Sequence, residues 1–224
     1  MQSADTELAK PPFHRRHKSA ILVATLLLLI LLHPVNAIFE RSALRDMVLL
    51  TIVMSASLNA LSYRSRFTID IGVGLGILAV AFGWLEVLLA PHFKIFSDSF
   101  GASLYIYIAA LLFKSIMTEN EITVDQLFAA VAIYILIGLT WGNFYAIINL
   151  YNPEALNFAE RAYETLEKHD YIYFSFVTLT TLGYGDILPV SGIARSLVIV
   201  EAITGVMFIA IMISRLVGRI NMKD

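Results

Sequence analysis

The sequence predicts an all-α integral membrane protein with six transmembrane helices and a re-entrant helix between the fifth and the sixth. Of its 224 residues, 58% are hydrophobic and 15% are charged. The apolar residues fall in runs that suit a hydrocarbon core about 30 Å thick. The net charge of −2 does not indicate a nucleic-acid partner. The chain has no cysteine, so disulfides and thiolate chemistry are excluded.

The first apolar run follows a basic cluster, His14 to Lys18, which is typical of a cytoplasmic segment. A first helix is predicted from Ala20 to about Phe39. The alternative is a signal peptide, because Val35-Asn36-Ala37 resembles a cleavage site. The sequence leaves open whether residues 1–37 are removed.

Four further spans are predicted at Met47 to Leu61, Ile69 to Ala90, Phe100 to Met117 and Leu127 to Leu150. Lysine and arginine are more frequent in the loops that this order places inside, which predicts that both termini are cytoplasmic. Gly72 and Gly76 lie in an apolar helix at a spacing that favours close helix packing over nucleotide binding.

The region after the fifth span predicts an external turret and a re-entrant loop. Asn152-Pro153-Glu154 is typical of a helix start, so a turret helix is expected to reach Lys168. The apolar run Tyr171 to Leu179 is about half as long as a crossing, whereas Ile193 to Val217 is long enough. Backbone outside a helix is tolerated at membrane depth where it lines a watery path. The glycine-rich run between these segments is therefore predicted to face a pore.

That run, Thr180-Thr181-Leu182-Gly183-Tyr184-Gly185-Asp186, resembles the selectivity filter of potassium channels, usually written T-V-G-Y-G-D. The resemblance covers about Leu127 to Val217 and extends to prokaryotic six-helix channels with one pore loop and no soluble domain. It implies a homotetramer in the cell membrane that conducts K⁺ passively, without catalysis and without a cofactor. It also implies that K⁺ is coordinated by the Thr181 hydroxyl and by the carbonyls of Thr181, Leu182, Gly183 and Tyr184, supported by Thr180, Gly185 and Asp186.

The filter region departs from the family's pattern at three positions. Leu182 replaces the usual valine, which adds bulk but leaves the carbonyl in place. Phe174 stands where many members have a tryptophan whose N–H braces the filter tyrosine, a bond that phenylalanine cannot donate. Val177 stands where some members have a glutamate paired with the filter aspartate. We expect these changes to affect filter stability more than selectivity.

The resemblance also assigns roles in the inner helix. Gly205 stands at the family's hinge position. Below it, Val206, Ile209 and Ile213 would line the cavity and could close the pore by dewetting. Ordinary packing against a neighbouring helix is the alternative role for these three side chains.

Glu201 is an acid one turn above Gly205 in an otherwise apolar helix. An acid at this depth needs a partner or a proton. The sequence leaves two roles open, one in gating and one as a structural hydrogen-bond acceptor. The candidate partners are Ser175 and Thr178 of the pore helix and Asn143 and Tyr145 of the fifth helix.

The gating stimulus cannot be read from the sequence. The fourth span has Lys114 as its one cation, so an arginine-rich voltage sensor is not predicted. Residues 218–224 alone follow the inner helix, so no cytoplasmic ligand-binding domain is expected. A separate regulatory subunit remains an alternative. His169-Asp170 could sense external pH or could form a passive surface pair.

The predicted organisation is a cytoplasmic segment at 1–19, a four-helix transmembrane domain at 20–117, a cytoplasmic linker at 118–126, a pore domain at 127–217 and a cytoplasmic tail at 218–224. Within the pore domain, the outer helix is expected at 127–150, the turret at 151–170, the pore helix and filter at 171–186, and the inner helix at 193–217.

Two other functions compete with a potassium-selective channel. One is a weakly selective monovalent cation channel, or a subunit that conducts only with a partner. The other is an intramembrane aspartyl protease, because Gly183 to Asp186 fits G-x-G-D. That chemistry needs a second aspartate deep in another helix. The candidates lie at predicted membrane edges or in loops, which disfavours it: Asp46, Asp70, Asp98, Asp125 and Asp170.

Overall fold

The computed structural model describes residues 18–32, 51, 66–89, 91–118, 123–159 and 165–220. Over these residues the helices are α1 (Lys18–Leu32), α2 (Arg66–Leu88), α3 (Lys94–Thr118), α4 (Val124–Tyr151), α5 (Lys168–Leu179) and α6 (Gly192–Ile220). A 3-10 turn, Pro91–Phe93, precedes α3, and strands β1 (Leu156–Phe158) and β2 (Ile187–Pro189) flank α5 in the chain. In the described ranges, α3, α4 and α6 are long and apolar enough to cross a membrane, and α1 is a shorter apolar helix.

The helices extend past the apolar runs that predicted them. α3 begins at Lys94 instead of Phe100, and α6 continues through Ile220 into the predicted tail. α4 begins at Val124, inside the predicted linker, because Thr123 and Gln126 form a capping box with two 3.3 Å bonds. The predicted second span lies outside the described residues apart from Thr51, and so does the end of the predicted first helix, 33–39.

The predicted turret helix is wrong over residues 152–159. Asn152 caps the end of α4 by donating its N–H to the Ile148 carbonyl at 2.9 Å. Its side-chain oxygen accepts the Glu154 N–H at 3.2 Å, which makes a turn instead of a helix start. The chain then enters β1, which pairs antiparallel with β2 and sets Leu156 opposite Pro189. The same residue types favour helix caps and turns, so the local pattern could not separate the two.

α4 lies at the centre of the described chain, where α1, α3 and α5 pack against it. The buried core includes Leu22, Leu26, Leu104, Ile108, Leu136 and Leu139. Two glycines of α4 allow the shorter helix α5 to pack closely against it. A Cβ at Gly138 would lie 2.6 Å from the Phe176 ring, and a Cβ at Gly142 would lie 3.1 Å from the Ile172 Cα. Close approach at small residues is a common way for membrane helices to pack.

Polar contacts join helix ends at the opposite side of the core from the glycine-rich loop. The Ser19 N–H and hydroxyl donate to the Asp125 carboxylate at 2.9 Å and 3.0 Å, which joins the first turns of α1 and α4. The Arg215 guanidinium donates to the carbonyls of Ile116 and Met117 at the end of α3. A cation at a helix C-terminus is favoured by the helix dipole. The Arg215 contact attaches α6 to the end of α3.

Candidate functional site: the re-entrant pore loop

The pore helix α5 begins one turn earlier than predicted, at Lys168 instead of Tyr171. The Glu167 N–H donates to the Asp170 side chain at 2.7 Å, which fixes the first turn. His169 contacts both acids, with its ring nitrogens 3.4 Å from Glu167 and 3.3 Å from Asp170. The predicted His169-Asp170 pair is therefore present, and its role as a pH sensor stays a prediction.

In the predicted filter, the N–H groups of Thr181, Leu182 and Gly183 point back to the end of α5. Thr181 N donates to the Thr178 carbonyl at 2.9 Å. Leu182 N and Gly183 N both donate to the Val177 carbonyl, at 2.9 Å and 3.3 Å. Over the described residues, no N–H group bonds to the carbonyls of residues 181–184. Those carbonyls are free to accept a ligand.

The backbone of the run Thr181 to Gly185, the predicted filter, has positive φ at alternate residues. The φ angles are 60° at Thr181, 54° at Gly183 and 75° at Gly185, whereas Leu182 and Tyr184 are not in this region. A Cβ at Gly183 or Gly185 would meet nothing within 4 Å, so these positions need glycine for conformation and not for space. Thr181 has no such freedom, and its left-handed conformation costs roughly 1–2 kcal/mol. Strain of this kind often marks functional sites.

Asp186 anchors the C-terminal end of the loop. Its side chain accepts the Tyr173 hydroxyl at 2.7 Å and the Ile187 N–H at 3.1 Å. Its carbonyl accepts the Ala159 N–H at 2.8 Å, next to the β1–β2 pair. The bond to Asp186, more than burial, raises the pKa of Tyr173 to about 12, so this hydroxyl remains a donor at ordinary pH. Tyr173 gave no signal in the sequence, because an aromatic residue in an apolar helix does not indicate its hydrogen-bond partner.

Gly205 lies against the inner end of the pore helix. A Cβ at Gly205 would be 2.3 Å from the Leu179 carbonyl oxygen, which also accepts the Tyr134 hydroxyl at 3.2 Å. Glycine is therefore required here for close packing of α6 on α5. Its predicted role as a hinge stays a prediction, and in the structure α6 is one helix through this residue. The predicted gate residues Val206, Ile209 and Ile213 are exposed in the single chain.

Glu201 has the partners that sequence analysis placed among its candidates. Its side chain is fully buried. Tyr145 Oη lies 2.5 Å from Oε2, and Ser175 Oγ lies 2.5 Å from Oε1. Phe174 packs the edge of its ring against Tyr145, with 5.0 Å between ring centroids, and so supports this contact. The Glu201 carboxyl thus joins α4, α5 and α6 behind the filter.

Asp98 was expected at a membrane edge or in a loop; the structure places it in the first turns of α3, where its side chain is buried. It forms a 2.8 Å salt bridge with Lys168 at the start of the pore helix. Asp186 is bonded to Tyr173, and Asp125 to Ser19. Each of these three aspartates has a partner of its own, so the structure does not favour a shared-proton aspartyl pair.

The described helices define a helical membrane protein. An ion-channel family model matches residues 127–221. Protein LctB of Geobacillus stearothermophilus is 30% identical over 115 residues, which cover 49% of this chain and 84% of that protein. Protein LctB of Bacillus caldotenax is 27% identical with the same coverage. Two-pore potassium channel 4 of Arabidopsis thaliana is 43% identical over 51 residues, 23% of this chain and 18% of that protein.

No solved structure matches the chain significantly. The chain spans less than a fifth of the Arabidopsis relative but most of the bacterial one. It belongs to the ion-channel family and, with it, to the potassium channel superfamily. The family is one of channels and not of enzymes, which confirms that the chain is a membrane transport protein without a catalytic role.

Proposed function

We propose that the protein is a potassium-selective channel that conducts passively through the run Thr181 to Gly185. The observation that carries this proposal is the loop backbone, in which positive φ alternates and the N–H groups bond back to the pore helix. Alternation of this kind lets successive carbonyls turn toward one side. Carbonyls arranged in rings can replace the hydration shell of K⁺.

Each chain supplies one loop, so a closed cage around the ion needs several copies, and we propose four. The Thr181 hydroxyl and the carbonyls of Thr181, Leu182, Gly183 and Tyr184 would hold the ion, with Thr180, Gly185 and Asp186 as supports. The side chains of Leu182 and Tyr184 are 58% and 67% exposed in the single chain. Apolar side chains exposed around a functional loop favour a partner surface. A homotetramer would cover them.

The same proposal includes the arrangement in the membrane. The chain would cross the plasma membrane six times with both termini cytoplasmic. Residues 20–117 would form a peripheral four-helix domain, and residues 127–217 the pore domain. The exposed apolar face of α6, which includes Val206, Ile209 and Ile213, would line the cavity below the filter. No residue of the chain is assigned to a cofactor.

Reversal potentials in reconstituted bilayers test selectivity against the rival of a weakly selective channel. With K⁺ as the varied ion and Na⁺ as the replacement, the reversal potential should move by roughly 59 mV per tenfold change in K⁺. A reversal potential that ignores K⁺ would refute the proposal. Current that appears only after another subunit is added would support the partner-requiring alternative.

A matched pair of glycine variants connects selectivity to the filter backbone. A Cβ has open space at both Gly183 and Gly192, but only Gly183 has positive φ. Gly183→Ala should add strain of roughly 1–2 kcal/mol per chain and reduce K⁺ selectivity at least tenfold. Gly192→Ala should leave the reversal potential unchanged. Equal behaviour of the two variants would contradict the proposed role of the loop conformation.

A further inference from the structure

Glu201 is a fully buried acid with no role in the ion path proposed above. It lies in the middle of the spanning helix α6 and contacts Tyr145 of α4 and Ser175 of α5. An ionised carboxylate at such a place is costly unless a cation pairs with it. Over the described residues, no cationic side chain is bonded to it.

The hydrogen atoms around Ser175 indicate which form of Glu201 the structure fits. Ser175 Oγ lies 2.5 Å from Glu201 Oε1 and 2.8 Å from the carbonyl oxygen of Gly138. A serine hydroxyl has one hydrogen to donate, and a carbonyl can only accept. If Glu201 were ionised, Oε1 and the Gly138 carbonyl would compete for that one hydrogen. In one of these two short buried contacts, two oxygen atoms would then face each other without a hydrogen between them.

A protonated Glu201 removes this conflict. Its O–H would donate to Ser175 Oγ, and the Ser175 hydroxyl would donate to the Gly138 carbonyl. Tyr145 would donate its hydroxyl to Oε2. Every contact then has one donor and one acceptor. The contacts among Glu201, Ser175, Gly138 and Tyr145 are called the proton relay below.

Other titratable and charged groups lie on the elements that pack around Glu201. α4 carries Tyr134 and Tyr145, and Asp125 at its far end. α5 carries Lys168, His169, Asp170, Tyr171 and Tyr173, and the loop after it carries Tyr184 and Asp186. On α6 itself, Arg195 donates to the Pro189 carbonyl at 3.1 Å, and Arg215 donates to the end of α3. These two arginines are therefore engaged away from Glu201, and the third, Arg219, lies in the last turn of α6.

We propose that Glu201 carries a proton in the conducting state and that the proton relay positions the pore helix between the outer and inner helices. Release of the proton to water would leave a buried negative charge and would draw the Ser175 hydrogen away from Gly138. The pore helix would lose the bond from Ser175 to the Gly138 carbonyl of α4, and conduction would fall as pH rises. Glu201 is thus a positioning residue with a pH-dependent action on the filter. This inference rests on the proposed channel function.

The test is current through the reconstituted channel as pH is raised on both sides from about 5 to about 9. Wild-type current should fall at least fivefold. Glu201→Gln mimics the protonated acid, because its amide N–H can donate to Ser175 and its carbonyl can accept from Tyr145. This variant should conduct like wild type at low pH and should show no loss of current at high pH.

Two further variants separate the proton relay from other titrating groups. Tyr145→Phe removes a donor that stabilises the ionised acid more than the neutral one, so the fall in current should move to higher pH. His169→Gln should keep the wild-type profile. A wild-type profile in Glu201→Gln, a flat wild-type profile or a downward shift in Tyr145→Phe would each overturn the inference.

An infrared measurement tests the proton without conduction and stays available if a variant does not fold. The band of a buried protonated carboxyl should be present in wild-type protein at neutral pH and should disappear as pH rises. A band that is absent at neutral pH overturns the inference. A wild-type channel that conducts at low pH without preference for K⁺ would instead overturn the proposed function, so the two failures are distinguishable.

Discussion

The two sides of the pore loop differ in how much of their environment comes from their own chain. On one side, the loop is hydrogen-bonded to α5 and to Ala159 beside β1. Leu179, just before the loop, accepts a hydrogen bond from Tyr134 of α4 and packs against Gly205 of α6. On the other side, Leu182 and Tyr184 are exposed in the single chain. A single chain therefore sets the conformation of the loop but does not enclose it. The conformation of the loop and its enclosure by other chains can therefore be perturbed separately. The variants that follow change contacts that hold the loop and the pore helix within one chain.

The largest effect is expected from Gly205→Ala, which should disturb the packing of α6 against the C-terminal end of the pore helix. The new Cβ would lie 2.3 Å from the Leu179 carbonyl oxygen, a backbone atom that cannot turn away. Overpacking of this kind costs roughly 1–3 kcal/mol in each chain. We expect at least a tenfold loss of current together with a lower melting temperature in detergent.

The matched control is Gly74→Ala, because a Cβ there meets nothing within 4 Å. This helical position should tolerate alanine with no loss of stability and no loss of current. If Gly205→Ala also behaved like wild type, close packing of α6 on the end of α5 would not position the filter.

An intermediate effect is expected at the outer end, where Asp98 and Lys168 join α3 to the pore helix at 2.8 Å. The Asp98 side chain is 1% exposed and the Lys168 side chain 28% exposed, so solvent screens the pair in part. Asp98→Asn should lower the free energy of unfolding by about 1–3 kcal/mol, less than for a fully buried pair.

A double-mutant cycle with Lys168→Met isolates the interaction between these two side chains. The double variant should lose less stability than the sum of the two single variants, because the pair is broken only once. Additive losses would show that the ion pair does not hold the pore helix against α3.

The smallest effect is expected from Tyr173→Phe, which removes the 2.7 Å bond to Asp186 and leaves the ring in place. A bond of this kind contributes roughly 0.5–1.5 kcal/mol, and the exposure of Tyr173 favours the lower end. Sustained current should decay faster, while selectivity should stay unchanged. The control is Tyr151→Phe at an exposed position. Equal decay in wild type and Tyr173→Phe would remove Asp186 from the supports of the filter.

Much of the fold was readable from the sequence because membrane helices and turns are encoded locally. The apolar runs predicted α2, α3, α4 and α6 with errors confined to their ends. The boundaries moved because polar residues such as Lys94 and Thr123 continue or cap a helix beyond its apolar part. The turret failed for a different reason, since Asn152-Pro153 suits a turn as well as a helix start.

The contacts of Glu201 and Asp98 could not be predicted fully from local sequence patterns. Glu201 was recognisable as an acid in an apolar helix, and its candidate partners included Ser175 and Tyr145. The choice among those candidates depended on how α4, α5 and α6 pack. The pairing of Asp98 with Lys168 gave no signal, because residues far apart in the chain meet only after the helices have assembled.

The sequence by itself determined the helical membrane class and the glycine-rich loop, since hydrophobic length and the freedom of Gly183 and Gly185 act within a few residues. The tertiary structure alone decided that β1, paired with β2, replaces part of the expected helix. It also decided that Gly205 leaves room for the Leu179 carbonyl and that Glu201 of α6 contacts α4 and α5. Those outcomes depend on distances between segments, which a local pattern of residues does not contain.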